Sequence, residues 1–276
     1  MAKAMSAHQP NFLPYLGFFD KMKAVCEIGE GRGIFVVRED CQYVGSDFHS
    51  RNKIRINEGW VWINVPVEKR PAPISEIRIK KDARIKNAPW NKYHLRLIEA
   101  NYKKAPFFEK HFSGLSEIYN EPGDSLLDFN MRIIVYLSKC FGIKAKFVMF
   151  SELPENTETG NPSKTLANIA KALGADIYLS GDGGREYMDM DAFKGIEVRF
   201  QNYKHPAYPQ RFFGFEPYLS AIDALFNVGR LLSSGESILK EDREKEGIKK
   251  GDGQKEDREK EGIKKGDGPK EGIKCP

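Results

Sequence analysis

The segment Ser180-Gly181-Asp182-Gly183-Gly184 stands between Asp176 to Leu179, an apolar run that reads as a strand, and Arg185 to Phe193, which reads as a helix. Glycine accepts φ > 0 without a Cβ clash. Glycines crowded at a strand-to-helix junction therefore let the N–H groups of the turn and of the helix start converge on one anion, and phosphate is the natural guest. A tight turn with two helix-capping residues and no ligand is the competing interpretation, because short glycine motifs are common.

A second constellation lies at the other end of the chain, Ala7-His8-Gln9-Pro10-Asn11-Phe12-Leu13-Pro14-Tyr15-Leu16-Gly17-Phe18-Phe19-Asp20-Lys21. Two prolines stiffen the loop, and a short helix expected from about Tyr15 to Lys23 places rigid polar groups at its N-terminus. His8 titrates near neutrality and can carry a proton or donate to phosphate, with Gln9 and Asn11 beside it; a purely structural histidine is the alternative. Arg51, Asn52 and Lys53 lie in a polar stretch ahead of a strand expected over Trp60 to Val67, and they can clamp phosphate or carboxylate or form a solvated basic turn. Tyr203 and His205 fall in an aromatic, proline-rich loop, Asn202 to Gln210, of the kind that lines pockets and stacks on a sugar or base. His94, on a helix expected over Asn91 to Tyr102, reads as a packing residue. The histidines show no paired metal-ligand spacing, so no metal site is expected and a Mg²⁺ ion would enter only with a nucleotide. Neither a GxSxG elbow nor a Walker A pattern occurs.

The elements that must position these residues alternate. Asp124-Ser125 can cap a helix carrying Leu127, Met131, Ile134, Leu137 and Phe141 at helical spacing, with Gly142 as its stop. A strand follows over Ala145 to Phe150, then a helix from Pro162 to Leu173 closed by Gly174, the strand Asp176 to Leu179, the glycine turn and its helix, and a strand over Ile196 to Phe200. Such alternation implies a parallel sheet covered by helices, with ligands outside the carboxyl ends of the strands. The expected fold is a Rossmann-like, three-layer α/β sandwich with a mainly parallel sheet, a helical insertion over about 87–142, and one folded unit spanning 1–239.

From Lys240 onward KEDREKEGIKKGDGQ repeats as KEDREKEGIKKGDGP and then as KEGIKCP, almost without apolar content. Residues 240–276 are therefore expected to be a disordered charged tail or a fraying helix, since they cannot bury enough surface to offset their ordering entropy. The whole chain carries a formal charge of +5 with its basic residues spread out, which disfavours a nucleic-acid binder. No apolar run is long enough to span a membrane, and no secretion signal is evident. Cys26, Cys41, Cys140 and Cys275 form no CxxC pair, so a reduced, cytoplasmic protein is expected.

Several separated motifs in order carry a family resemblance: His8-Gln9-Pro10-Asn11 with Leu13 to Lys21, Arg51-Asn52-Lys53-Ile54, Trp90 with His94, Lys104-Ala105-Pro106-Phe107-Phe108, Tyr178 to Gly184, Tyr203 with His205-Pro206 and Tyr208, and Leu219 to Asp223 with Leu225-Phe226-Asn227. Over about residues 6 to 230 the chain resembles the WbqC-like protein family. The resemblance implies bacterial or archaeal cytoplasmic proteins associated with O-antigen and other surface-glycan gene clusters, and attachment of an amino acid or acyl group to an amino sugar. Family members pass from the first helix directly into the second strand, whereas Val25 to Gly33 looks inserted here before the strand Ile34 to Val37. The opening unit also resembles nucleotidyltransferase-like Rossmann enzymes, which set histidines at the first helix's N-terminus against triphosphate charge. One such histidine, His8, is present, and Gly17-Phe18 stand where a second would be.

Two function classes follow. One is a transferase or carboxylate–amine ligase of surface-polysaccharide precursor synthesis, using ATP or a nucleotide sugar with Mg²⁺ and acting on a small-molecule substrate. The other is a sugar-nucleotide or small-molecule binding module without turnover.

Overall fold

A computed structural model describes residues 2–68 and 70–239, and the repeat segment 240–276 lies outside the described residues. Five parallel strands form the main sheet: β1 (Ala4–His8), β2 (Ile34–Val37), β7 (Lys146–Met149), β8 (Ile177–Ser180) and β9 (Glu197–Phe200). Their order is β7-β2-β1-β8-β9. The inner strands β2 and β8 are buried at every residue, as a sheet covered on both faces requires, while the edge strands β7 and β9 alternate with solvent.

One face is covered by α1 (Leu16–Ile28), whose Val25 packs on Ala4, Ile177 and Leu179, and by α4 (Leu126–Cys140), whose neighbour Phe141 meets Phe19 edge-on at 5.2 Å. The opposite face is covered by α5 (Pro162–Ala172), where Leu166, Ile169 and Ala170 pack on Met5, Ala7, Val36 and Tyr178. This is the expected doubly covered, Rossmann-like sandwich. The inserted region lies between β2 and β7. It holds an antiparallel hairpin, β3 (Arg51–Ile56) with β4 (Gly59–Asn64), a two-residue pair β5 (Arg84–Ile85) and β6 (Ala88–Pro89), and the helices α2 (Trp90–Tyr102), α3 (Phe108–Asn120) and α4. A last helix, α6 (Ile222–Val228), closes on α3.

Local signals set many boundaries. The Ser125 hydroxyl accepts from Asp128 N–H at 3.2 Å to cap α4, Asn161 caps α5 through Lys164 N–H, and Gly142 and Gly174 follow their helices at φ +70° and +59°. Three expectations need correction. The first helix runs on to Ile28, so the apparent insertion is its extra length plus a turn through Gly31 (φ +84°); a Cβ on Gly33 would strike the backbone of Val25. No α-helix spans Arg185 to Phe193. Two short 3₁₀ helices, Asp182–Glu186 and Met190–Phe193, replace it, because glycine is a poor helix former and the Asp189 carboxylate accepts from Asp191 N–H to restart the turn. Finally, the polar stretch around Arg51 to Arg55 is a strand rather than a turn: Asn52 and Ile54 face the core while Arg51 and Lys53 face outward.

Candidate functional site at the carboxyl edge of the sheet

Parallel strands bring their carboxyl ends to one edge. There β1 ends at His8 and its neighbour β8 ends at Ser180. After β1 the chain turns into α1 on one face; after β8 it passes Phe193, which stacks on Tyr178 on the opposite face at 5.4 Å. The point between them is a topological switch, where outgoing loops diverge to opposite faces, the place at which open parallel sheets hold ligands.

The loop after β1 is held at almost every carbonyl. His8 Nδ1–H and Asn11 N–H donate to Gln9 O at 2.9 Å each. Asn130 Nδ2, on α4, donates to Pro10 O at 2.7 Å and to His49 O at 2.8 Å. Asn52 Nδ2 donates to Phe12 O and Leu13 O at 3.3 and 2.7 Å, and Leu13 sits at φ +43°. A loop so constrained holds a geometry that its sequence alone would not keep. Asn52, expected to face substrate, is instead buried behind the loop with its amide committed to backbone. Asn11 is also buried; its Oδ1 has no hydrogen-bond partner.

His8 packs edge-on against Phe18 in the first turn of α1, centroids 4.8 Å apart. Since a carbonyl can only accept, the bond to Gln9 O places the neutral ring's proton on Nδ1 and leaves Nε2 as an acceptor. The start of α1 has no side-chain cap and no acidic residue in its first turn, so its positive end is not neutralised locally. Tyr15 folds over Gly17, and a Cβ there would occupy its ring. From the end of β9, Gln201 Nε2 donates to Gly17 O at 2.8 Å and to the Asp20 carboxylate at 2.7 Å.

The glycine turn has a different construction from the expected cradle. Gly181 is extended at φ −69°, and neither Gly183 nor Gly184 takes a positive φ. Glycine is needed at 184 for space, because a Cβ would run into Ser180 Oγ and Met188 Sδ. The Asp182 carboxylate accepts from Asn202 N–H at 3.1 Å and lies 3.5 Å from Arg185 Nε, so it ties the turn to the segment after β9. The turn nevertheless lies at the expected edge, beside β1.

Arg51 and Lys53 project from β3 onto the indoles of β4: Arg51 lies 4.3 Å over Trp62, and Lys53 Nζ 4.0 Å over Trp60. Burial lowers the Lys53 pKa against the pull of Glu216. Tyr203 meets Tyr15 edge-on at 5.8 Å. His205 is enclosed by Tyr203, Tyr208, Phe215 and Tyr218; its Nε2 accepts from Tyr218 N–H at 3.4 Å, and burial pushes its pKa down to about 4. A neutral, enclosed imidazole organises the loop and supplies no positive charge. The same loop is anchored on Asp223, a fully buried carboxylate that accepts from Tyr102 OH, Tyr208 OH and Gln210 Nε2, each at 2.9 Å. Burial raises Asp223 to about 6 although all three donors oppose it.

A family model for the WbqC-like protein family matches residues 9–232, the span that contains this loop, the hairpin, the glycine turn and Asp223. The chain belongs to the WbqC-like protein family. It is also 30% identical over 231 residues to the uncharacterized protein Rv1507c of Mycobacterium tuberculosis, covering 82% of this chain and 94% of that protein. In this WbqC-like chain, the residues singled out in the sequence fall into groups by where the fold places them. His8, Gln9, Gly17 and Ser180 to Gly184 gather at the sheet edge, whereas Trp90, His94 and Asp223 are buried in the packing around it. His94, enclosed by Trp90 and Tyr119, is driven down to about 3 by burial, consistent with a packing role. Sequence reasoning passed over His49, Asn130, Tyr102 and Gln210. The available signal was a polar residue inside an apolar stripe: Asn130 among Leu126, Phe129, Ile133 and Ile134, and Asp223 among Ile222, Ala224, Leu225 and Phe226. A groove of about 560 Å³ lies elsewhere; its lining pairs Arg78, Lys80 and Lys81 with Glu68, Asp82 and Asp124 and has no net charge to select a ligand. Among the described residues no helix is long and apolar enough to cross a membrane.

Proposed function

We propose that this WbqC-like chain is an enzyme that binds a phosphate-bearing, nucleotide-activated substrate at the switch point between β1 and β8 and transfers or ligates an acyl or aminoacyl group to an amino sugar of a surface-glycan precursor. The observation that carries the reading is the switch point itself, with His8 and the uncapped start of α1 on one side and Ser180 to Gly184 on the other. Phosphate suits that place because the dipole of α1 favours an anion at a start that has no side-chain cap and no acidic residue in its first turn. In the transfer step the amine nitrogen bonds to the acyl carbon, the bond from that carbon to the activating phosphate oxygen breaks, and the nucleotide leaves with the electron pair; His8, whose Nε2 is the acceptor in the tautomer set by Gln9 O, takes the proton the amine loses. Tyr203 lines the mouth, and Arg51 and Lys53 guide an anionic substrate from the hairpin face.

Thermal denaturation in the presence of nucleotides, nucleotide sugars and amino acids tests the site. A ligand at a hundred times its Kd stabilises by about 2.7 kcal/mol, which in a domain of this size raises the midpoint by roughly 5–10 °C. With the best ligand in hand, His8→Gln should abolish turnover while retaining affinity. If it lowers affinity and no turnover is found with any acyl donor, the chain is a binding module; if no phosphate compound shifts the midpoint, the site is wrong.

A further inference from the structure

We propose that the Gln9 side-chain amide is a fixed hydrogen-bond donor to an anionic oxygen of the ligand, and that His49, buried behind it, is the positioning residue that decides which way this amide faces. The proposal rests on the placement of a phosphate-bearing ligand at the β1 edge, and its central claim about His49 can be tested without any ligand.

Val44 N–H donates to His49 Nδ1 at 3.2 Å, and an amide N–H cannot accept, so Nδ1 must carry a lone pair. The neutral ring then holds its proton on Nε2, which lies 2.9 Å from the Gln9 amide. Only Oε1 can take that bond; a flipped amide would set N–H against N–H. A protonated ring fails for the same reason at Val44. Burial favours the neutral form, while the Asp47 carboxylate, 3.9 Å from Nε2, works the other way. The orientation of Gln9 is thus dictated two steps away, by Val44 N–H acting through a histidine with no exposed surface.

The amide's other end points to function. With Oε1 committed, Nε2 keeps two N–H groups that have no partner among the described residues, and it is not sealed from solvent although the residue is only 8% exposed. A nearly buried side chain locked at its acceptor end and open at its donor end accepts phosphate, carboxylate or a developing oxyanion and rejects an ammonium group. The preceding residue, His8, is the proton carrier of the proposed reaction, so the Gln9 donor pair lies next to it in the chain. A donor pair at that position suits an oxyanion formed beside the group that takes the proton. Asn130, which donates to both Pro10 O and His49 O, holds the two halves of the relay in register.

Long-range ¹⁵N–¹H NMR of the full-length protein should show His49 as the Nε2–H tautomer at neutral pH. An Nδ1–H tautomer or an imidazolium would overturn the positioning role whatever the ligand. For the donor role the probe is inorganic pyrophosphate, titrated calorimetrically. Gln9→Glu keeps an acceptor for His49 but replaces the amino group with a charged oxygen, so affinity should fall by about tenfold or more. His49→Phe frees the amide to turn and should weaken binding less. In the double variant the loss should equal that of Gln9→Glu alone, since His49 acts only through Gln9. Additive losses would show that His49 merely supports the fold. Unchanged affinity in a folded Gln9→Glu protein would remove Gln9 from the site. A wild-type protein that ignores pyrophosphate would overturn both the donor role and the anion site, while the tautomer result would still decide the positioning claim.

Discussion

Replacing Asn130 by alanine probes how firmly the loop after β1 is held. The side chain is fully buried and donates two hydrogen bonds, 2.7 Å to Pro10 O and 2.8 Å to His49 O, so its loss strands two carbonyls in the interior. An unsatisfied buried group costs about 1–3 kcal/mol. Two of them would exceed that, but removing the unpartnered Oδ1 of Asn130 returns part of the cost, and a water can enter the vacated space. The expected net destabilisation is about 2–4 kcal/mol, or a fall in Tm of roughly 5–15 °C for a domain of this size. Urea denaturation at neutral pH measures it, with Asn101→Ala as the control. Asn101 is half-buried and bonds only to Leu97 O within α2, so its removal should change stability by less than about 0.5 kcal/mol. Hydrogen exchange adds a local readout: the Phe12 amide, bonded to Phe48 O at 2.9 Å, should lose protection in the Asn130 variant. A loss below about 0.5 kcal/mol with Phe12 still protected would mean that α4 does not hold the loop, and that the constrained geometry of His8 and Gln9 has another origin.

Stability should fall between pH 7 and pH 5, because His94 and His205, at about 3 and about 4 in the folded protein, stay neutral while the unfolded chain binds protons near 6.5. Each contributes a loss of about 2 kcal/mol by pH 5. Asp223 works oppositely: its carboxyl, raised to about 6, takes up a proton in the folded state first and returns about 1 kcal/mol over the same interval. Asp223→Asn should therefore steepen the decline in urea midpoint on acidification, and parallel profiles for the two proteins would contradict the assignment. Gly17→Ala must push the Tyr15 ring off its seat and away from Tyr203; circular dichroism melts should show a loss of about 1–3 kcal/mol, and a neutral result would mean that the ring moves freely. Gly184→Ala, which drives a Cβ into Ser180 Oγ and Met188 Sδ, should lower the same midpoint more than Gly183→Ala, whose backbone lies outside the left-handed region. Equal effects would restore a conformational role for both glycines.

Much of the scaffold was legible in the chain. The strand Ile34–Val37, the Ser125 cap, Pro162 at the start of α5, and the glycines that follow α4 and α5 are all local matters, set by apolar spacing and by hydrogen bonds a few residues apart. Alternation of such elements also implied the parallel sheet and, with it, an edge where His8 and the glycine turn meet. The conformation of that turn was misjudged, because glycine type alone does not say whether the residue serves φ or space; at 184 the answer lies in the packing of Ser180 and Met188. Asn52 was expected to bind substrate, and the pairing of β3 with β4 turns its side chain inward. The adjacency of β1 and β8 depends on contacts such as Ser6 Oγ to Leu179 O, made across a sequence separation of 173. His49, Asn130 and Val44 join the candidate site only through such distant pairing, since a buried polar atom is satisfied by whatever burial of apolar surface elsewhere brings within about 3 Å of it. Residue types and local spacing specified the elements and the chemistry on offer, whereas the packing of the inserted helices against the first loop decided which of those groups point outward to a ligand and which are spent holding the others in place.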